Sequence, residues 1–116
     1  MDEGPDPETV LELFGDPYVR TIVRAASRQP MSVKELSKEC DSALSTVYRR
    51  VDDLVDEGIL VERTQIEPDG SHHSVYDTSM EAMTLRVVGG RFNLDLEPSR
   101  DPAERFTTMW RDIRGL

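Results

Sequence analysis

The chain has 116 residues, of which 37% are hydrophobic and 6% aromatic, enough for one domain around a single core. Its 23 acidic against 14 basic side chains give a formal net charge of −9, a sign that repels phosphate and usually counts against nucleic-acid binding. No apolar run nears the ~20 residues of a membrane span, and the DEGPDPE after Met1 is unlike a basic signal-peptide start; with one cysteine, Cys40, an internal disulfide is excluded and a soluble cytoplasmic protein is expected.

Residues 1–8 read as a frayed N-terminus. Asp-Pro pairs then punctuate the chain at Asp6-Pro7, Asp16-Pro17 and Asp101-Pro102. Aspartate suits the N-cap of a helix, and proline at the first helical position loses no needed N–H. After the first pair, Val10, Leu13 and Phe14 mark a short helix ending at Gly15. After the second, Val19, Ile22, Val23 and Ala26 line one face of a helix that stops before Pro30.

Ser32-Val-Lys-Glu35 is a capping box, with Met31 and Leu36 at the spacing of a hydrophobic staple. Val33, Leu36 and Cys40 then face inward over about two turns. Asp41 stands at the corner, where a left-handed residue is often needed and aspartate is better tolerated than most. A further helix is expected over 44–57, with Leu44, Val47, Val51 and Leu54 inward and Gly58 ending it.

Beyond Gly58 the period changes from helix to strand. ILVERTQI and HSVYDT read as strands joined at Asp69-Gly70, a hairpin over about 59–78. A second hairpin turns at Gly89-Gly90, which sets Val87 opposite Phe92, Leu85 opposite Leu94 and Met83 opposite Leu96; a helix is the lesser alternative. Asp101-Pro-Ala-Glu104 is another capping box, and Ala103, Phe106, Trp110 and Ile113 form one stripe of a closing helix.

The order helix, helix, tight corner, helix, hairpin predicts an α+β winged helix-turn-helix. It would occupy residues 9–80, and 81–116 would add a β-hairpin and a terminal dimerisation helix. SVKELSKECDSALSTVYRRVDDLVDEGILVE resembles the DNA-binding core of ArsR-type winged-helix transcription regulators. The shared pattern is the apolar-Glu-Leu opening, the corner, Ser-Thr-Val, an arginine two residues on, a leucine after that, and Gly-Ile-Leu before the wing. With FGDPYVRTIVRAA and the Trp-containing end, the resemblance extends to a halophilic archaeal branch of such regulators. Twelve of the 14 basic residues are arginine, which fits such a background.

The resemblance implies a sequence-specific transcriptional regulator that binds double-stranded DNA as a homodimer. Two departures qualify it: Asp41 stands where glycine is usual, and one cysteine leaves no thiolate pair for arsenic or cadmium. In such a unit the second helix enters the major groove. With Val47, Val51 and Leu54 inward, Ser45, Thr46 and Arg49 face outward, Ser42 lies near the N-terminal end, and Tyr48 and Arg50 lie at the flanks. Arginine can donate bidentately to guanine O6 and N7, and Ser and Thr hydroxyls suit phosphate or base edges.

Lys34, Lys38 and Arg28 are candidate phosphate contacts, and His72 a wing contact. Residues 17–50 hold seven basic against three acidic side chains, a local +4 that leaves −13 on the rest. Each candidate also has a plainer reading. Arg49 could pair with Asp53 at i, i+4, Arg50 is open either way, Tyr48 could be packing, and the two histidines could simply be exposed. Phe106, Trp110 and Ile113 are assigned to a dimer interface, a two-fold protein matching a palindromic site. No catalytic set, metal site or cofactor site emerges, so no enzyme is expected. The rival reading is a winged-helix protein–protein interaction module whose acidic surface repels DNA.

Overall fold

The computed structural model describes residues 4–98. The stretch for which a closing helix is expected, with Phe106, Trp110 and Ile113, lies outside the described residues. Helix α1 (Pro7–Phe14) starts inside the stretch expected to fray. Asp6 caps it by accepting from the Thr9 N–H at 3.1 Å and the Thr9 hydroxyl at 2.6 Å. The Asp6 N–H in turn donates to Glu57 Oε1 at 3.0 Å, which fastens the start of the chain to the far end of the fourth helix.

Helix α2 (Pro17–Arg28) is capped by Asp16, which accepts from the Tyr18 N–H at 2.8 Å. It buries Val19, Ile22, Ala25 and Ala26. Ala25 thus takes a buried place expected for Val23, which is half-buried: α2 is packed against α1, α3, α4 and β2, so more than one stripe of it is covered.

Helix α3 (Val33–Cys40) opens with the expected reciprocal box. The Ser32 hydroxyl accepts from the Glu35 N–H at 3.1 Å, and the Ser32 N–H donates to Glu35 Oε1 at 2.9 Å. Met31 and Leu36 are both buried beside it. Asp41 closes α3 in the left-handed region, φ 51° and ψ 51°. That reversal aims helix α4 (Leu44–Asp56) across α3. The Ser37 hydroxyl donates to the Ser42 carbonyl, and the Ser42 N–H donates to the Ser37 carbonyl at 3.2 Å, so both sides of the corner are tied.

Val47, Val51 and Leu54 of α4 are fully buried, but Leu44 is 48% exposed. The inward stripe therefore begins one turn later than its spacing predicts. The first turn of α4 overhangs the core, and Ala43 supplies no side-chain cap there. Gly58, at φ 80°, ends the helix in a conformation that side chains rarely adopt.

Strands β1 (Leu60–Ile66) and β2 (His72–Thr78) form the antiparallel wing, with Leu60 opposite Thr78 and Ile66 opposite His72. Met31 exchanges two backbone hydrogen bonds with Tyr76, of 3.0 and 2.7 Å. The residue just before α3 is thus stitched to the wing. At the tip, Asp69 accepts from both the N–H and the hydroxyl of Ser71. Ser79 follows at once, its N–H on the Ile59 carbonyl at 2.9 Å and its hydroxyl on the Gly58 carbonyl at 2.6 Å.

Strands β3 (Met80–Val88) and β4 (Arg91–Pro98) make a second antiparallel hairpin, separate from the wing sheet. Its register sets Val87 opposite Phe92, Leu85 opposite Leu94 and Met83 opposite Leu96, as the Gly-Gly turn dictates. Leu94 and Leu96 pack against the core, and β4 lies against α1. Among the described residues, four helices and two hairpins thus give an α+β winged helix-turn-helix fold with an added hairpin.

Candidate nucleic-acid interface

The corner at Asp41 and the Met31–Tyr76 stitch bring three elements to one surface: the start of α3, the first half of α4, and the wing. Between them runs an open groove of about 420 Å³ lined by Lys34, Leu44, Tyr48, Glu62 and His73, among others. Burial of Val47 and Val51 fixes the rotation of α4, so Ser45, Tyr48 and Arg49 are exposed on the opposite side. Thr46 and Ser42 are half-buried at the margin.

Arg49 forms no ion pair within 4.0 Å of any acid among the described residues. The i, i+4 pairing with Asp53 that its sequence allows is absent. Arg50 is placed differently. Its guanidinium is half-buried against Asp16, so it faces the junction of α1 and α2 and not the exposed side of α4. The sequence leaves Arg50 open because the acid that claims it is 34 residues away in the chain.

Lys34 and Lys38 are exposed one turn apart on α3, and neither has an ion-pair partner among the described residues. Arg28 is exposed but shared, its Nη2 3.0 Å from Glu39 Oε1. A phosphate would have to compete with Glu39 for it.

On the wing, His73 lines the groove and sits 3.4 Å from Glu67, while His72 is exposed outside the groove's lining. Sequence reasoning named His72; no local signal separates two adjacent histidines before the strand's register is known. Leu44 was also missed as a groove residue, because its spacing fits the buried stripe.

Electrostatics divide this surface. The two hydrogen bonds from Ser71 hold the Asp69 carboxyl below its usual range, so the wing tip carries a charge that repels phosphate. Burial, with the Glu62 carboxylate next, pushes the Tyr76 phenol up, so it stays a neutral hydrogen-bonding group beside the groove. Asp52, Asp53 and Asp56 are exposed on the second half of α4. Cationic and hydroxyl groups therefore gather at the start of α3 and α4, and carboxylates flank them.

Cys40, expected inward, is half-buried, its Sγ 3.8 Å from the Tyr18 carbonyl. Among the described residues no three His, Cys, Asp or Glu side chains are grouped to hold a metal ion. No described helix is long and apolar enough to cross a membrane.

A family model described as a helix-turn-helix domain matches residues 14–63, from the end of α1 into β1. No curated protein matches the chain. Among solved structures the chain is similar to NolR from Sinorhizobium fredii, with a TM-score of 0.46 and 13% identity over 98% of each chain.

Proposed function

We propose that this chain is a sequence-specific transcriptional regulator that works in the cytoplasm. It reads the major groove of double-stranded DNA with α4, as a homodimer. The observation that carries the reading is Arg49: exposed on the outer side of α4, unclaimed by any described acid, and flanked by hydroxyl groups. A guanidinium so presented can donate bidentately to guanine O6 and N7. Ser45 and Thr46 lie in the first turns of the helix and Ser42 just before it, where hydroxyls meet base edges or phosphates. Tyr48 adds an exposed aromatic edge on the groove side.

Lys34 and Lys38 serve as phosphate contacts that set the register of the protein on the duplex. Arg28 joins them by exchanging Glu39 for a phosphate. His72 remains a wing-tip candidate, now with His73 beside it. Arg50 acts from behind the reading face, holding α4 against α2. The acidic half of α4 lies beyond the phosphates, and Phe106, Trp110 and Ile113 belong to the contact between copies.

The ArsR-type resemblance and a halophilic archaeal background belong to this reading. They are supported by the core motif, by arginine in 12 of 14 basic positions and by the excess of acids. In concentrated electrolyte the counterion-release term weakens, and base contacts must carry more of the affinity. The competing reading, a protein–protein module, draws on the carboxylates of Asp52, Asp53 and Asp56 beside the groove.

Selection from a random duplex library discriminates the two. The regulator reading expects enrichment of a two-fold site, its halves about one helical turn (~34 Å) or a multiple apart. Failure to enrich any sequence at low salt would leave the protein–protein reading in its place.

A further inference from the structure

Helix α4 is anchored by Val47, Val51 and Leu54, all fully buried. Two other large apolar side chains on it are not buried. Leu44 is 48% exposed and Tyr48 is 52% exposed, and they stand one turn apart, at i and i+4. Both line the groove between α3, α4 and the wing, which Val33 lines as well. Leu44 does nothing for the start of its own helix, because Ala43 makes no side-chain cap there and the buried stripe begins one turn later. An apolar pair thus stands uncovered at the end of α4 that also presents Arg49.

We infer that Leu44 and Tyr48 read thymine, by packing on the C5-methyl groups that thymines present in the major groove. The inference rests on the reading of α4 as the DNA-contacting helix, and it names the base chemistry of that helix's groove side. Among the groups that base pairs present in the major groove, the thymine methyl is the apolar one, and the others are hydrogen-bond donors and acceptors. Leucine has neither donor nor acceptor in its side chain, so only that methyl suits it. The edge of the Tyr48 ring extends the same apolar contact.

The surroundings select a duplex as the occupant. Arg49 follows Tyr48 directly, and Lys34 lines the same groove; neither has an ion-pair partner among the described residues. An occupant must therefore bring negative charge together with a small apolar group, as a thymine-bearing strand does. Glu62 lines the wing side of the groove, its carboxylate accepting from the Ser74 hydroxyl at 2.5 Å. That charge repels a phosphate from the wing wall, so backbone contact falls to Lys34 and a base edge meets α4. Four residues of helix rise roughly 6 Å, close to two base-pair steps of roughly 3.4 Å. The two side chains can thus meet methyls on neighbouring base pairs.

The test replaces thymine by deoxyuridine, which lacks only the methyl, one position at a time in the duplex enriched from the random library. Affinity is measured by fluorescence anisotropy with the full chain. At one or two thymines of each half-site the wild type should bind the uracil duplex about fourfold more weakly, the worth of one buried methyl. Leu44→Ala or Tyr48→Ala should bind thymine and uracil duplexes alike at the position that side chain serves. Arg49→Ala should keep the difference, and so should Tyr48→Phe, because the ring edge and not the hydroxyl makes the contact.

A wild type indifferent to uracil at every thymine overturns the proposal. So does a thymine preference that survives in both Leu44→Ala and Tyr48→Ala, which would assign it to the shape of the duplex. Should Leu44→Ala lose its far-UV circular dichroism, Leu44→Gln replaces it with the same expectation. Indifference to uracil beside a guanine preference that Arg49→Ala removes would mean that α4 reads DNA without this contact. Failure to enrich any sequence overturns both readings.

Discussion

Arg50 of α4 closes onto Asp16, the residue that caps α2. One Asp16 oxygen receives the Tyr18 N–H and the other faces the Arg50 guanidinium, so a single carboxylate begins one helix and holds another. Both side chains are about three-quarters shielded from solvent. Arg50→Ala should therefore cost about 1–2 kcal/mol, between the values for exposed and buried pairs. Arg49→Ala should stay within about 0.5 kcal/mol, as surface substitutions do. Thermal melts of the two variants check this. Equal losses, or a larger loss for Arg49→Ala, would refute the division of roles between adjacent arginines.

The first turn of α4 offers a second comparison. Leu54 is fully buried and Leu44 is about half exposed, although their spacing puts them on one stripe. Leu54→Ala should cost about 2–5 kcal/mol through lost transfer energy and a cavity. Leu44→Ala should cost less than about 1 kcal/mol, and its effect should fall on DNA binding because Leu44 lines the groove. Urea titrations of both variants, with gel shifts of Leu44→Ala, measure the two effects.

Those two positions show what the sequence conveys. Helix starts were legible because caps are local chemistry: Asp6, Asp16 and the Ser32–Glu35 box each act within three residues. The β3–β4 register was legible because a two-residue turn fixes pairing by geometry. Asp41 was legible as the left-handed corner, since few residues tolerate that conformation. Long-range partners were not. Nothing near Arg50 announces Asp16, nothing near Asp6 announces Glu57, and periodicity cannot say where a neighbouring element ceases to cover Leu44. The candidate site shares this limit, because its outer face follows from the buried stripe whereas its wing component depends on how β2 is stitched to Met31.

The thiol of Cys40 yields a pH prediction. Burial raises its pKa above the ordinary 9.0, with the Glu39 and Asp16 carboxylates adding to the effect. The folded chain therefore holds this proton more tightly than the unfolded chain. The group contributes nothing to the pH dependence of stability well below 9.0. As pH rises from 9.0 through the folded value, the unfolded state releases its proton first and stability falls. Alkylation of native Cys40 near pH 8 should be slower than that of the same residue in urea, since the thiolate is the nucleophile. Equal rates would contradict the raised pKa.

Salt separates phosphate contacts from base contacts. The logarithm of affinity falls with the logarithm of salt concentration by about 0.9 per phosphate neutralised. If Lys34 and Lys38 each neutralise one phosphate, each alanine substitution should reduce the slope by about one unit and weaken all sequences alike. Binding to the selected site should also outlast binding to random duplex as salt approaches molar concentration. Fluorescence anisotropy with both duplexes measures this, and a parallel fall would sink it.

The most direct measurement is the base-preference profile of wild type against Arg49→Ala, both selected from the same random duplex library. A guanine preference should vanish at one position in each half-site, a loss of about 1–3 kcal/mol in discrimination, while the other positions keep theirs. An unchanged Arg49→Ala profile, or a wild type with no preference at any position, would contradict the claim that the outer face of α4 reads DNA.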